Sequence, residues 1–293
     1  MGSSGKKFNT GWAERLEAGE LLSLESCPFM SPASETAAFF RTQQTRAPSL
    51  EAISYDPSTG KLHGQTTTNP EETERLAGLL RSFSDAATGW LANQLPEYAG
   101  KWTRDRATLR PAEEALRTPH PQERNDLLHV DQFERRPSAG RRILRLFVNI
   151  NPTESRVWIT SEGFKSLLER FQRRYRIPAR SASEWSEPLT GLQRLMQRDW
   201  TGRPAYDSFM LNLQRFLKSD DAFQDKAAKH LWNFAPGSAW LLFADGLSHA
   251  VLRGQYALEH SFFVPQEALV LPERSPLQQL ISAGETPVLR KAG

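Results

Sequence analysis

The sequence predicts a mainly antiparallel β protein, a barrel or double-sheet jelly roll, that helices both flank and interrupt. Three observations carry this expectation. Beyond Arg124 the chain breaks into short segments rich in apolar, aromatic and β-branched residues, separated by clusters of Pro, Gly, Ser and Asn. A strongly helical stretch precedes them. A second helical stretch, over about residues 163–225, splits them into two groups.

In chain order, Trp12 to Leu24 has the spacing of a short amphipathic helix. Ile53-Ser-Tyr-Asp-Pro-Ser-Thr-Gly-Lys-Leu-His-Gly64 reads as two extended segments about a Pro/Gly turn. From Pro70 to Leu95 the spacing predicts the strongest helix: a proline near its start, acids behind it, then Leu76, Leu79, Leu80, Phe83, Ala87 and Leu91 on one face. Strands are expected over Leu127 to Phe133, Ile143 to Ile150, Arg156 to Thr160, Ala239 to Phe243, Leu247 to Leu252 and Gln255 to Val264. Residues 1–100 are therefore read as a helical and extended region packing on a core formed by 101–293.

Composition sets the limits. Apolar residues make up 39% and charged residues 24% of 293, which is ordinary globular usage. The net charge of +3, from 37 basic and 34 acidic residues spread along the chain, is too mild to argue nucleic-acid binding, and none is expected. Cys27 is the single cysteine, so neither an internal disulfide nor a cysteine-rich zinc site can form. No apolar run long enough for a transmembrane helix or a signal peptide is apparent.

His129-Val130-Asp131 lies in a strand-like run, and strand alternation turns the imidazole and the carboxylate to one face. A third ligand must come from elsewhere. His249, behind Trp240-Leu-Leu-Phe-Ala-Asp-Gly-Leu-Ser, is preferred, with His260 as its competitor. Two histidines and a carboxylate leave adjacent open positions, the arrangement by which non-haem Fe(II) oxygenases take a co-substrate and O2 together. His63 and His120 are expected at the surface, and His230 in a helix.

A 2-oxoglutarate co-substrate needs a fixed cation for its far carboxylate, and the arginine fork suits that task. Alternation places Arg145, Phe147 and Asn149 on one face of their strand, and Arg156 with Trp158 on one face of the next. A hairpin between these strands would bring both arginines against an aromatic wall. Arg110 is a third candidate, read as lying in a loop. Arg135, Arg136, Arg141 and Arg142 read first as a solvated face, and alternatively as a basic rim around the pocket mouth that meets an anionic partner.

Four segments together, Ile53–Gly64, His129-Val-Asp-Gln-Phe133, Leu146-Phe-Val-Asn-Ile-Asn-Pro152 and Phe243-Ala-Asp-Gly-Leu-Ser-His249, make the chain resemble the bacterial Kdo hydroxylases, from about residue 15 to Pro265. The resemblance implies a double-stranded β-helix, or cupin-like jelly roll, and Fe(II), 2-oxoglutarate and O2 as cofactor and co-substrates. The implied reaction is hydroxylation at C3 of the 3-deoxy-D-manno-oct-2-ulosonic acid of Kdo-lipid A, giving Ko in lipopolysaccharide. It implies His129, Asp131 and His249 as iron ligands, with Arg110, Arg145, Arg156 and Trp158 around 2-oxoglutarate. It also implies a cytoplasmic enzyme held peripherally at the anionic inner face of the inner membrane. The strand after the distal histidine carries Leu258-Glu-His260 where many oxygenases place Arg or Lys, which favours the strand arginines as the co-substrate's partners. Two other readings remain: a 2-oxoglutarate oxygenase acting on a protein, nucleic acid or small metabolite, and a non-catalytic metal-binding β-barrel.

Overall fold

Strand alternation creates two faces that need cover, and here each sheet is covered on both. In the computed structural model, which describes residues 11–31, 33–45, 52–116, 121–175, 177–188 and 202–285, two antiparallel sheets face one another. The larger has seven strands: β1 (Leu22–Leu24), β8 (Ala239–Phe243), β5 (Arg142–Asn149), β10 (Ala257–Val264), β4 (Thr103–Arg110), β2 (Ile53–Asp56) and β3 (Lys61–His63), in that spatial order. The smaller has three: β7 (His230–Phe234), β6 (Arg156–Gly163) and β9 (Leu247–Arg253). Phe147, Trp158, Phe234, Trp240, Leu242 and Val251 pack together between the sheets. This is the jelly roll expected from the sequence.

On the outer face of the large sheet, Leu144, Leu146, Val148, Leu241, Leu258 and Phe262 pack under α1 (Trp12–Glu17), α2 (Glu35–Thr42) and α3 (Pro70–Gln94). The start of α3 follows from its residues: the Asn69 side chain accepts from the amides of Glu71 and Glu72, Pro70 needs no amide partner, and two acids sit in the positive first turn. On the outer face of the small sheet, Ile159 and Ala250 pack under the helical insert. That insert comprises α4 (Phe164–Gln172), α5 (Ala182–Ser186), α6 (Ala205–Ser219) and α7 (Asp221–Lys226), with α8 (Pro276–Glu285) beside it.

Several elements differ from the sequence expectation. The first helix ends at Glu17 because Gly19 turns the chain at φ 90°, and Leu22–Leu24 then pairs with β8 instead of continuing the helix. Residues 127–133 form no regular strand, only one bridge, His129 with His249. His230 begins β7 and is exposed, not helical. Arg110 ends strand β4, not a loop. The β5–β6 hairpin does not form, since β5 pairs with β8 and β10 while β6 pairs with β7 and β9. His63 is exposed as expected, and His120 lies outside the described residues. The region before residue 100 also joins the sheet, through β1 on β8 and β2 on β4.

Candidate metal centre and co-substrate pocket

Backbone pairing brings the three sequence-selected ligands together. The His129 amide donates to the His249 carbonyl at 3.1 Å and the His249 amide returns the bond at 2.9 Å. The Asp131 amide donates to Ala244 O at 2.8 Å. Apolar Leu128 and Val130 alternate with the ligands and fill the core beneath the helical insert, so the ligands must face the space between the sheets. The side chain of Gln224 clamps Leu128 on both sides, accepting from its amide and donating to its carbonyl, each at 2.9 Å. Downstream, the buried Asp207 carboxylate accepts from the amides of Ser138 and Ala139 and from Gln132, tying down the loop after Asp131.

The donor atoms of His129, Asp131 and His249 lie within 4.8 Å of one another, and all three residues are buried. Each Nε2 is 3.5 or 3.6 Å from Asp131 Oδ1. His129 Nδ1 lies 2.7 Å from Leu127 O and His249 Nδ1 lies 2.9 Å from Leu247 O. A carbonyl can only accept, so both Nδ1 atoms carry the proton and both Nε2 lone pairs face inward, as metal ligation requires. Burial pushes His249 down to about 4, against the attraction of Asp131, which keeps it neutral at physiological pH. Burial alone would raise the Asp131 carboxyl, but Arg145 and the two imidazoles hold it well below the usual carboxylate range. Two neutral nitrogens and one carboxylate suit a first-row divalent metal such as iron.

Next to the triad lies a buried ionic cluster. Arg145 donates through Nη1 to Asp131 Oδ2 and through Nη2 to Glu259 Oε2 at 2.6 Å. Arg110 donates to the same glutamate at 2.7 Å. Burial would raise Glu259, yet Arg110 and Arg145 bring it down to about 2. Arg156 donates from Nη1 to Gly254 O at 2.6 Å, and its Nη2 is 3.7 Å from Glu114. Burial lowers Arg156 to about 10, only partly offset by its acidic neighbours. Its Nε and the Trp158 indole N–H are buried without an acceptor. Trp158 itself stacks on the His249 ring, with centroids 5.4 Å apart and planes at 12°. Arg110 and Arg145 thus meet on Glu259, while Arg156 pairs with Gly254 O and Glu114 and feels the charges of Arg110 and Glu259, and no hairpin brings them together.

Glu259 escaped the sequence reading, which looked to His260. The available signal was strand parity: Glu259 shares a face with Ala257, Ser261 and Phe263, whereas His260 shares its face with Leu258 and Phe262, which pack under α3. His260 accordingly points away from the metal centre, 2.8 Å from Ser84 Oγ and 3.2 Å from Arg106 O, and cannot face a co-substrate between the sheets. The proposed basic rim also needs revision. Arg142 is buried on Asp245 at 2.9 Å, and Arg136 pairs with Asp105, which leaves Arg135 exposed and Arg141 lying over Phe263.

Residues 2–287 match the family model described as 3-deoxy-D-manno-oct-2-ulosonic acid (Kdo) hydroxylase. The chain belongs to the Kdo hydroxylase family. Among solved structures, it is 30% identical to the Kdo hydroxylase KdoO, a non-heme Fe(II) alpha-ketoglutarate dependent dioxygenase, in complex with alpha-ketoglutarate and Fe(III), over 92% of this chain and 88% of that one, with a TM-score of 0.78. The cobalt(II) complex of KdoO aligns over 96% of this chain and 91% of its own, at 29% identity and a TM-score of 0.80. The complex with succinate and Fe(III) aligns over the same shares at 29% identity and a TM-score of 0.78. No curated protein sequence matches the chain. No helix among the described residues is long and apolar enough to cross a membrane.

Proposed function

We propose that this family member is an Fe(II)- and 2-oxoglutarate-dependent dioxygenase that hydroxylates C3 of the Kdo sugar of Kdo-lipid A, producing Ko. The observation that carries the reading is the convergence of His129, Asp131 and His249 beside a buried arginine cluster, in a chain of this family. Iron with 2-oxoglutarate and O2 supplies the oxidising power for the C–H bond. The protein's own residues supply placement. His129, Asp131 and His249 hold the ion, and Arg145 turns Asp131 by gripping its second oxygen.

Arg156 and Trp158 are the best partners for the 2-oxoglutarate carboxylate. Arg145, whose Nε is also unpartnered, and Arg110 already spend donors on Glu259, whereas Arg156 is an under-compensated buried cation with an unpartnered Nε, and Trp158 offers an unpartnered N–H. An incoming carboxylate would satisfy both orphans. Phe147, Trp158 and Trp240 keep water from this end of the pocket. The enzyme is assigned to the cytoplasmic face of the inner membrane, where a lipid-anchored anionic sugar and 2-oxoglutarate are both within reach, with peripheral contact through exposed basic side chains such as Arg135.

Incubating the protein with Fe(II), 2-oxoglutarate, O2 and Kdo-lipid A tests the whole reading. The Kdo unit should gain one oxygen atom by mass spectrometry, with stoichiometric succinate. Succinate release that Kdo-lipid A fails to stimulate would point to another substrate, and metal binding without any succinate would leave only a binding protein.

A further inference from the structure

The aromatic residues between the sheets form a line with one end on a metal ligand and the other at the surface. Trp158 stacks on His249. Trp240 meets Trp158 edge-on at 5.4 Å, Phe234 stacks on Trp240 at 3.8 Å with planes at 4°, and Trp232 stacks on Phe234 at 6.0 Å with planes at 5°. Trp232 is half-buried on the edge strand β7, and the exposed His230 ring lies 4.5 Å beyond it. Register explains the line: Trp158 and Trp232 are direct partners across β6 and β7, and Phe234 is two residues further along the same face.

Hydrogen bonding differs along this line. The Trp240 N–H, like that of Trp158, is buried with no acceptor. Trp232, in contrast, donates its N–H to Thr160 Oγ1 at 2.9 Å and reaches solvent. Indole is among the most easily oxidised side chains. An oxidised Trp240 has nowhere to shed its proton and so passes the electron vacancy on, whereas Trp232 can release its proton and keep the vacancy.

We propose that Trp158, Trp240, Phe234 and Trp232 form an electron relay that quenches the metal centre when O2 is activated without sugar substrate in place. This rests on the oxygenase reading given above. In the balanced step one electron leaves the Trp232 indole and arrives at the oxidised centre. One proton leaves the same indole toward Thr160 and solvent, and one enters the centre from water. The centre gains the equivalent of a hydrogen atom, and Trp232 is left as a neutral radical. An external one-electron reductant of the thiol or ascorbate class restores it, and a second electron from the same reductant brings the centre back to its starting oxidation state. Damage is thereby moved from the ligands to a replaceable electron at the surface.

The test uses the full chain with Fe(II), 2-oxoglutarate and O2 but no sugar and no reductant, followed by succinate assay and peptide mass mapping. Oxygen adducts should accumulate on the Trp232 peptide, and adding ascorbate should suppress them. In Trp232→Phe the adducts should retreat to Trp240, Trp158 or the ligands, and the succinate formed before inactivation with ascorbate present should fall several-fold, while sugar-coupled turnover stays unchanged. Trp240→Phe, checked for folding by its melting curve, keeps the stack but removes the middle indole; because Trp158 and Trp232 remain cross-strand partners, it should lower the Trp232 adducts without abolishing them. Normal succinate release with adducts on the ligands of the native protein, and no change in either variant, would overturn the relay. Absence of succinate altogether would overturn the oxygenase reading, and the relay with it.

Discussion

Replacing Glu259 by Gln removes one negative charge from a pocket holding two buried arginines, Arg145 and Arg156, and the half-buried Arg110, while keeping its volume. The cost can be worked from the structure in two ways. The carboxyl titrates at 4.5 in its ordinary state and at about 2 in the fold, a gap worth about 3 kcal/mol at roughly 1.4 kcal/mol per pH unit. Breaking a buried ion pair from one side costs about 3–5 kcal/mol, and here one carboxylate serves both Arg110 and Arg145. For a chain of this size about 3 kcal/mol lowers Tm by roughly 6–12 °C. Because the folded carboxyl titrates below the unfolded one, the stabilisation is complete above about pH 5 and is lost as pH falls toward about 2. Calorimetric melting of native protein and Glu259→Gln should therefore show the full deficit at neutral pH and a narrowing one below about pH 4.5. A variant as stable as the native protein at pH 7, or a deficit independent of pH, would show that Glu259 does not neutralise the arginines.

Substituting His129, Asp131 or His249 by Ala should abolish metal retention and turnover while the melting curve keeps one cooperative transition; metal analysis of the purified variants decides it. Arg156→Ala should raise the 2-oxoglutarate KM by tens-fold or more, in line with about 2–5 kcal/mol for a lost buried charge pair, with metal content unchanged. Gly254→Ala should imitate that effect, since Gly254 has φ 126° and a Cβ there would sit 2.7 Å from Arg156 Cγ and 2.9 Å from its Cα. His260→Ala should retain metal and lose about 1–3 kcal/mol of stability, because its partners are Ser84 and the Arg106 carbonyl; loss of metal in this variant instead would make it the distal ligand.

What could be read from the sequence was what depends on local period. Alternation placed His129 with Asp131 and Arg145 with Phe147, and helical spacing delimited Pro70–Gln94 to within one residue. Facts that depend on which strand pairs with which stayed hidden. Parity alone puts Arg142 and Arg145 on opposite faces of β5, but that the first meets Asp245 and the second Asp131 and Glu259 follows from which segments lie beside that strand. The β5–β6 hairpin failed for the same reason: a short turn permits pairing, but the chain crosses to the other sheet there. Leu22–Leu24 became a strand because β8 offered an edge, which no local propensity records.

The two-way backbone bond between His129 and His249 bears on how the protein exchanges its ion. In a site whose ligands sit on independent loops, loss of the metal lets them drift apart, and rebinding must restore order among them. Here the spacing of the two imidazoles is a property of the main chain and of the carbonyls of Leu127 and Leu247 that hold each ring. The bite is therefore preorganised, and the entropy of assembling it is spent during folding rather than at binding. Emptying and refilling the centre becomes a local event. A cell short of iron could hold a folded stock of this protein and activate it by supplying the metal alone.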